Sequence, residues 1–361
     1  MSKQLLLTPG PTPIPEDIQK IMSKPIIHHR TPQFKEIFAE SSAMLKKIFK
    51  TEQGVITFAS SGTGAMEASV ANVLSKSDKA IVVRGGKFGE RFAEICKAYG
   101  VKVINIDIEW GQAPDPEDIK RAFDANEGIK AVYLNLCETS TATVYDIKKI
   151  AAIVKETDAI LVVDVISGLG SDEFKMDEWS VDIAVGGSQK GLMLPPGLAF
   201  CAISQKAWGM VDKSTLPKFY FDFKQAKKML DKNDTPWTPA ITLVIGLKKS
   251  LSLMAEAGFD NFINTHKKNA EYLRKEIKQM GLGLFSKSPS DAVTAVKVPD
   301  GIDGLELVKT IKANGVTVAG GQAALKGKII RIAHMGSITR KDLDRGLTVI
   351  KDALKTLGYK N

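Results

Sequence analysis

Three short segments carry residue types at spacings suited to chemistry. The first is Ala59-Ser60-Ser61-Gly62-Thr63-Gly64-Ala65-Met66-Glu67-Ala68, which follows a predicted strand and opens a predicted helix. Glycines permit a tight turn, hydroxyls donate hydrogen bonds, and free amides at a helix start attract an anion. A phosphate suits this segment, and so does plain helix capping by Ser, Thr and Gly. A dinucleotide turn suits it less, because Gly62-Thr63-Gly64 runs on into Ala65-Met66-Glu67 without a third glycine. The second is Asp164, at the end of the apolar run Ile160–Val163 and ahead of Val165-Ile166-Ser167-Gly168. Open α/β sheets place ligands at carboxyl strand ends, although an aspartate there can also simply cap a turn. The third is Lys190, in Gly186-Gly187-Ser188-Gln189-Lys190-Gly191-Leu192-Met193-Leu194-Pro195-Pro196-Gly197. Most lysines are solvated surface charges. Here the flanking residues are uncharged, and glycines on both sides let a planar ligand approach. A desolvated lysine, or one near other cations, gives up its proton and can form a Schiff base.

Together these segments suit one cofactor, pyridoxal phosphate (PLP). It needs a phosphate cradle, an anion opposite the pyridine nitrogen, and a lysine for the aldehyde. The carboxylate keeps the nitrogen protonated, so that the ring can accept the electron pair left when a substrate Cα loses its proton.

Such residues have to be held by a buried sheet, and the pattern supplies one. Val55–Phe58, Ala80–Val83, Val101–Ile104, Ala131–Leu134, Ile160–Val163 and Ile183–Val185 read as strands. Helical patterns over Gly64–Leu74, Phe88–Tyr99, Pro116–Ala125 and Asp146–Glu156 lie between them. Near-continuous apolar strands separated by helices predict an α/β fold whose mainly parallel sheet is covered on both faces, with right-handed crossovers. From Pro239 to about Met280 the period is helical, broken at Gly246 and at Ala257-Gly258. Alternating elements follow: a strand over Asp291–Val298, a helix over Gly304–Ala313, a strand over Ile329–Ala333 and a helix over Lys341–Leu357. The expected organisation is an N-terminal arm (1–15), a large domain (16–257) and a smaller α+β domain (258–361).

Composition narrows the class. The chain has 361 residues, enough for two domains, and 50 Lys and Arg against 41 Asp and Glu give a net charge of +9. The charge is spread along the chain, which suits anionic small molecules better than nucleic acid. Cys96, Cys137 and Cys201 are far apart and form no CxxC pair, so neither a disulfide framework nor a structural metal site is expected. No segment reads as a signal peptide or a membrane span, and a reducing cytoplasmic setting is the expectation.

The chain resembles the class V, fold-type I PLP-dependent aminotransferases, in the branch of alanine–glyoxylate, serine–glyoxylate and serine–pyruvate aminotransferases. The likeness runs from Leu7 to the C-terminal helix. It rests on the ordered set Pro9-Gly10-Pro11, Ser61-Gly62-Thr63, Glu138-Thr139-Ser140-Thr141, Asp164, Ser188-Gln189-Lys190 and Arg331. It implies a large domain built on a seven-stranded mixed sheet. Lys190 would hold PLP as a Schiff base and move the substrate proton, and Asp164 would pair with the pyridine nitrogen. Ser61, Gly62, Thr63 and Gln189 would bind the phosphate, Phe88 would stack on the ring, and Thr139 would reach its phenolic oxygen. Ile166 would also touch the cofactor, while Cys137 reads as apolar filler. Arg331, with the Gly10 backbone opposite, would clamp the substrate carboxylate through a forked guanidinium. The segment Thr235-Pro236-Trp237-Thr238-Pro239 would reach a neighbouring subunit's phosphate, making a homodimer the active unit. Several relatives have tyrosine where Thr235 stands. The implied reaction is ping-pong transfer of an amino group from alanine or serine to glyoxylate or pyruvate.

Four other readings compete. His28-His29-Arg30 resembles the phosphate-holding pair of phosphoserine aminotransferase, but similar segments occur in the glyoxylate branch. Cysteine desulfurase needs a late cysteine, and the last one here is Cys201. An NAD-dependent dehydrogenase lacks its third glycine, and a non-catalytic partner protein would keep the fold without the activity.

Overall fold

The computed structural model describes residues 4–360. Seven strands form the central sheet: β1 (Val55–Phe58), β2 (Lys79–Arg84), β3 (Lys102–Asp107), β4 (Ile129–Asn135), β5 (Ile160–Asp164), β6 (Ile183–Gly187) and β7 (Ala199–Ile203). Their spatial order is β1-β7-β6-β5-β4-β2-β3, and only β7 runs antiparallel to its neighbours. Each strand predicted in the first half of the chain is present. The uncharged run after Lys190, for which the pattern predicts no element, supplies β7. It is five consecutive buried residues behind the Pro195-Pro196 break.

Alternation along the strands sorts side chains onto the two faces. Leu161 and Val163 pack with Phe34, Phe49 and Leu247 on one side. Ile160 and Val162 pack with Met66, Phe92 and Phe223 on the other. The first side is covered by α1 (Pro32–Phe49), whose start is fixed by Pro32 and by Thr31 accepting the Phe34 N–H, and by α4 (Ile241–Ala257). The second is covered by α2 (Gly62–Ala71) and α3 (Lys87–Ala98).

The helical stretch predicted after Pro239 is α4 followed by α5 (Phe259–Gln279). The two part at Gly258, whose φ of 78° favours glycine. A smaller domain follows: α6 (Gly304–Ala313), α7 (Arg340–Thr356) and an antiparallel sheet of β8 (Val293–Lys297), β9 (Ala319–Gly320) and β10 (Ile329–Ala333) in the order β8-β10-β9. A capping box between Thr339 and Asp342 starts α7. Leu5–Leu6 pairs in parallel with Val316–Thr317, and Leu7 is buried in the small-domain core. Residues 8–13 then lead from that core to the large domain, where Thr12 Oγ1 donates to the Lys190 carbonyl at 2.9 Å.

Candidate active site

Because β1 to β6 run in one direction, their carboxyl ends gather at one edge of the sheet, where α/β folds bind ligands. A cavity of 240 Å³ opens there, lined by Gly10, Pro11, Ser61, Gly62, Thr63, Phe88, Arg91, Thr139, Asp164, Ile166, Ser167, Gln189, Lys190 and Pro196. Ten of these fourteen are residues singled out from the sequence. A larger open cleft of 1160 Å³, between the end of α1 and the start of α5, is lined by interspersed lysines and carboxylates. It has no comparable convergence of groups, so the smaller cavity is the candidate site.

Asp164 ends β5 beside Asn135, its register partner at the end of β4. One carboxylate oxygen accepts the Ile166 N–H at 2.7 Å, and the other accepts Asn135 Nδ2 at 2.9 Å. Burial outweighs these bonds and pushes the carboxyl up to about 7. A cationic donor is the partner it lacks.

Lys190 follows the end of β6 and is 9% exposed. Its Nζ donates to the Pro9 carbonyl. Burial lowers the ammonium to about 8, and the guanidiniums of Arg331 and Arg91 act in the same direction.

Two helix starts face this region and are treated differently. At α3, Glu138 is fully buried and takes the Phe88 and Gly89 N–H groups, both at 3.0 Å, together with the amide and hydroxyl of Ser140. That start is closed by a carboxylate. At α2, Ser61 sits at the cap position without a side-chain capping bond, so the first amides stay open toward the cavity. A Cβ on Gly62 would lie 2.4 Å from Ile166 Cδ1, so the glycine lets this backbone stand against Ile166 without displacing its side chain. Gln189 adds an amide whose Oε1 is buried without a partner.

Thr139 is buried and shares a short hydrogen bond with Ser167. Arg331 lies in β10, 5% exposed, and is not a solvent-facing strand residue. Its Nη1 donates to the Thr139 carbonyl at 2.9 Å, while Nε and Nη2 reach the Gly320 carbonyl at 3.1 and 2.9 Å. The guanidinium therefore stands just behind the cavity wall, held in orientation by backbone, with one N–H left on each Nη.

Thr235 and Thr238 are absent from the cavity lining of their own chain. Thr235 is buried, its Oγ1 donating to the Trp237 carbonyl at 2.7 Å, whereas Thr238 is exposed. Arg30 Nη1 is bound to Asp234 and to the Thr235 carbonyl, and the His28 and His29 rings lie 4.7 Å apart at a tilt of 33°; none of the three lines the cavity.

Sequence reasoning passed over Asn135, Glu138, Arg91 and Ser167 as individual residues. Each left a trace. Asn135 and Glu138 are polar breaks straight after an apolar strand, and Arg91 lies one helical turn beyond Phe88.

The constellation fits pyridoxal phosphate. Open amides and hydroxyls at α2 with the Gln189 amide suit a phosphate, and the unneutralised carboxyl of Asp164 suits a protonated ring nitrogen. Lys190, held near neutrality, suits an aldehyde. Among the described residues no group of three or more His, Cys, Asp or Glu is placed to hold a metal, and no helix is long and apolar enough to cross a membrane.

Comparison with known proteins agrees. Residues 17–345 match the family described as aminotransferase class V. The chain is 38% identical to the serine–glyoxylate aminotransferase of Hyphomicrobium methylovorum, covering 98% of this chain and 90% of that one. It is also 38% identical to a Synechococcus protein named soluble hydrogenase, small subunit, covering 99% and 95%. The structure of a subgroup IV aspartate aminotransferase from Thermus thermophilus superposes with a TM-score of 0.91 at 32% identity, over 98% of this chain and 99% of that one. Fold, constellation and likeness converge: the chain belongs to the class V aminotransferases, pyridoxal phosphate-dependent transaminases of fold type I.

Proposed function

We propose that this transaminase moves the amino group of a small L-amino acid, alanine or serine, to a 2-oxo acid such as glyoxylate or pyruvate, in two half-reactions at one site. One observation carries the residue assignment. Lys190, its proton affinity lowered by burial, and Asp164, its acidity weakened by burial, line the same cavity as the open start of α2. Paired groups shifted toward neutrality from opposite sides are what a proton-moving site needs.

The cofactor, when bound, supplies an aldehyde that condenses with amines and a ring that accepts the electron pair left at the substrate Cα. Lys190 would hold the aldehyde, and its Nζ, once free, would serve as the acid–base group that moves the Cα proton, a role worth roughly 10²–10⁴ in rate. Asp164 would keep a proton on the ring nitrogen, and Asn135 and the Ile166 amide keep its carboxylate in place. Arg331 takes the substrate carboxylate on its two remaining N–H groups, which fixes the Cα–H bond relative to the ring. The backbone of Gly10 faces the same carboxylate. Phe88 would cover the ring and Thr139 would meet its phenolic oxygen, while Ser61, Gly62, Thr63 and Gln189 would hold the phosphate. The exposed Thr238, with Thr235 behind it, serves the phosphate of a neighbouring copy, so the working unit is a homodimer.

The small cavity and a single buried clamp favour small donors. The relatives' names widen the choice to aspartate, since one carboxylate or hydroxyl in a pocket decides such preferences. The experiment is a panel of alanine, serine, aspartate and phosphoserine against glyoxylate, pyruvate and 2-oxoglutarate, with wild type and Lys190→Ala. Alanine or serine with glyoxylate is expected to give the highest kcat/KM, and Lys190→Ala to lose the activity. Borohydride reduction of the loaded protein should leave the pyridoxyl group on Lys190. Preference for phosphoserine would move the assignment to that branch. No amino transfer by wild type would favour a companion-protein role of the kind the hydrogenase-subunit name suggests.

A further inference from the structure

Of the residues lining the cavity, one cation has no assigned task. Arg91 projects from α3 one turn beyond Phe88 and is half-buried in the cavity wall. Its guanidinium lies 4.8 Å from the centroid of the Phe88 ring, and Nη1 donates to Thr63 Oγ1 at 3.2 Å. Its neighbours are paired elsewhere: Glu90 with Lys87, and Arg84 with Asp107. Among the described residues Arg91 forms no ion pair of its own. A partly desolvated guanidinium without an anion, facing a cavity, is costly unless an anion arrives there.

The groups around it indicate which anion. Ser61, Thr63, Gln189 and the open amides of α2 are neutral donors, and none carries the charge a phosphate dianion needs. The other charged groups of the lining are Lys190 and Asp164, both already assigned to the reacting end of the ring. Thr63 Oγ1 accepts from Arg91, so its own proton is free to donate into the cavity, strengthened by the adjacent positive charge. The same guanidinium sits over the Phe88 ring and holds it in place.

We propose that Arg91 is a cofactor-positioning residue, the cation that neutralises the phosphate group, partly through Thr63, while fixing the face of Phe88. This rests on the reading of the cavity as the pyridoxal phosphate site and adds to it the source of charge complementarity.

The test separates charge from packing by comparing two ligands that differ only in the phosphate. Apo-protein is titrated with pyridoxal phosphate and with pyridoxal, following absorbance, for wild type, Arg91→Gln and Arg91→Lys. The titration is repeated in a Lys190→Ala background, so that covalent capture does not mask affinity. Arg91→Gln is expected to weaken pyridoxal phosphate by roughly 10–100-fold and pyridoxal by less than about threefold, with Arg91→Lys recovering most of the loss. Inorganic phosphate should compete with pyridoxal phosphate in wild type and lose that ability in Arg91→Gln. Equal losses for both ligands would make Arg91 a packing residue and overturn the proposal. So would unchanged pyridoxal phosphate affinity, with or without a raised KM for the amino donor. Failure of wild type to bind pyridoxal phosphate would instead remove the cavity assignment itself.

Discussion

A Cβ placed on Gly10 would lie 2.6 Å from Cε of Lys190 and 2.7 Å from its Nζ. These two residues are 180 positions apart, and the backbone of the first is the floor on which the second's side chain lies. Gly10 has a φ of 136°, a region that L side chains avoid, so Gly10→Ala meets strain and collision together. The expected result is a fall in kcat of at least about tenfold, with the absorbance of the lysine-bound cofactor reduced and the fold retained. Wild-type kcat in this variant would show that Lys190 does not need its present seat.

Burial sets the proton affinity of Lys190 at about 8, and this fixes a pH dependence for cofactor capture by the apo-protein. The neutral amine is the nucleophile. Its fraction rises about tenfold per pH unit below that value and levels off above it. The second-order rate of appearance of the cofactor's bound absorbance should therefore climb from pH 6 to about 8 and then flatten. A rate still rising toward pH 10 would mean that the amine is solvated like an ordinary lysine.

A second buried carboxyl ties the two domains and is unconnected with the cofactor. Asp172, in the segment after β5, accepts Ser290 Oγ at 2.7 Å and the Asp291 N–H at 2.6 Å, just ahead of β8. Burial raises it to about 7 from an ordinary value of 3.8, despite those two bonds. The folded state thus holds a proton that the unfolded chain releases. The associated stability is fully present below about pH 4 and is lost as pH rises through 7. Asp172→Asn keeps an acceptor for one donor and removes the titration. Its stability relative to wild type should improve by about 1–3 kcal/mol between pH 5 and 8, read from thermal or denaturant unfolding of the holoenzyme. A difference that does not vary with pH would place the proton on another group.

Much of this architecture was legible locally, for identifiable reasons. A strand buried on both faces is a nearly unbroken apolar run, so the inner strands β2, β4, β5 and β6 stood out, as did Asp164 at the end of β5. Direction was not legible. The residues of β7 are as apolar as those of its neighbours, and only pairing with β1 and β6 reveals that it runs the other way. The arm was visible through Pro9-Gly10-Pro11, but its anchorage was not, because Leu5 and Leu6 find Val316 and Thr317 across more than 300 residues. Glu138 stands in the recognisable run Glu138-Thr139-Ser140-Thr141, but its task does not show there. Nothing in its neighbours along the chain says that it caps a helix 50 positions earlier. Arg331 was identified by type and setting, whereas the use of three of its donors by the Thr139 and Gly320 carbonyls depends on a strand pairing that no local pattern encodes.

The pair Gly62 and Ile166 gives a test in which one defect should cure another. A Cβ on Gly62 would stand 2.4 Å from Cδ1 and 2.9 Å from Cγ1 of Ile166, the end of a flexible side chain and not backbone. Gly62→Ala should therefore be tolerated by the fold, with Ile166 pushed into the cavity that both residues line. Pyridoxal phosphate affinity is expected to fall roughly 10-fold or more, while the unfolding transition moves little. Ile166→Ala removes the colliding atoms, so the double variant should bind better than Gly62→Ala alone, with a coupling energy in the 0.5–3 kcal/mol range of roughly contact-sharing pairs. Additive losses in the double variant would mean that the glycine is needed for the approach of the α2 amides to the phosphate, and not for the space occupied by Ile166.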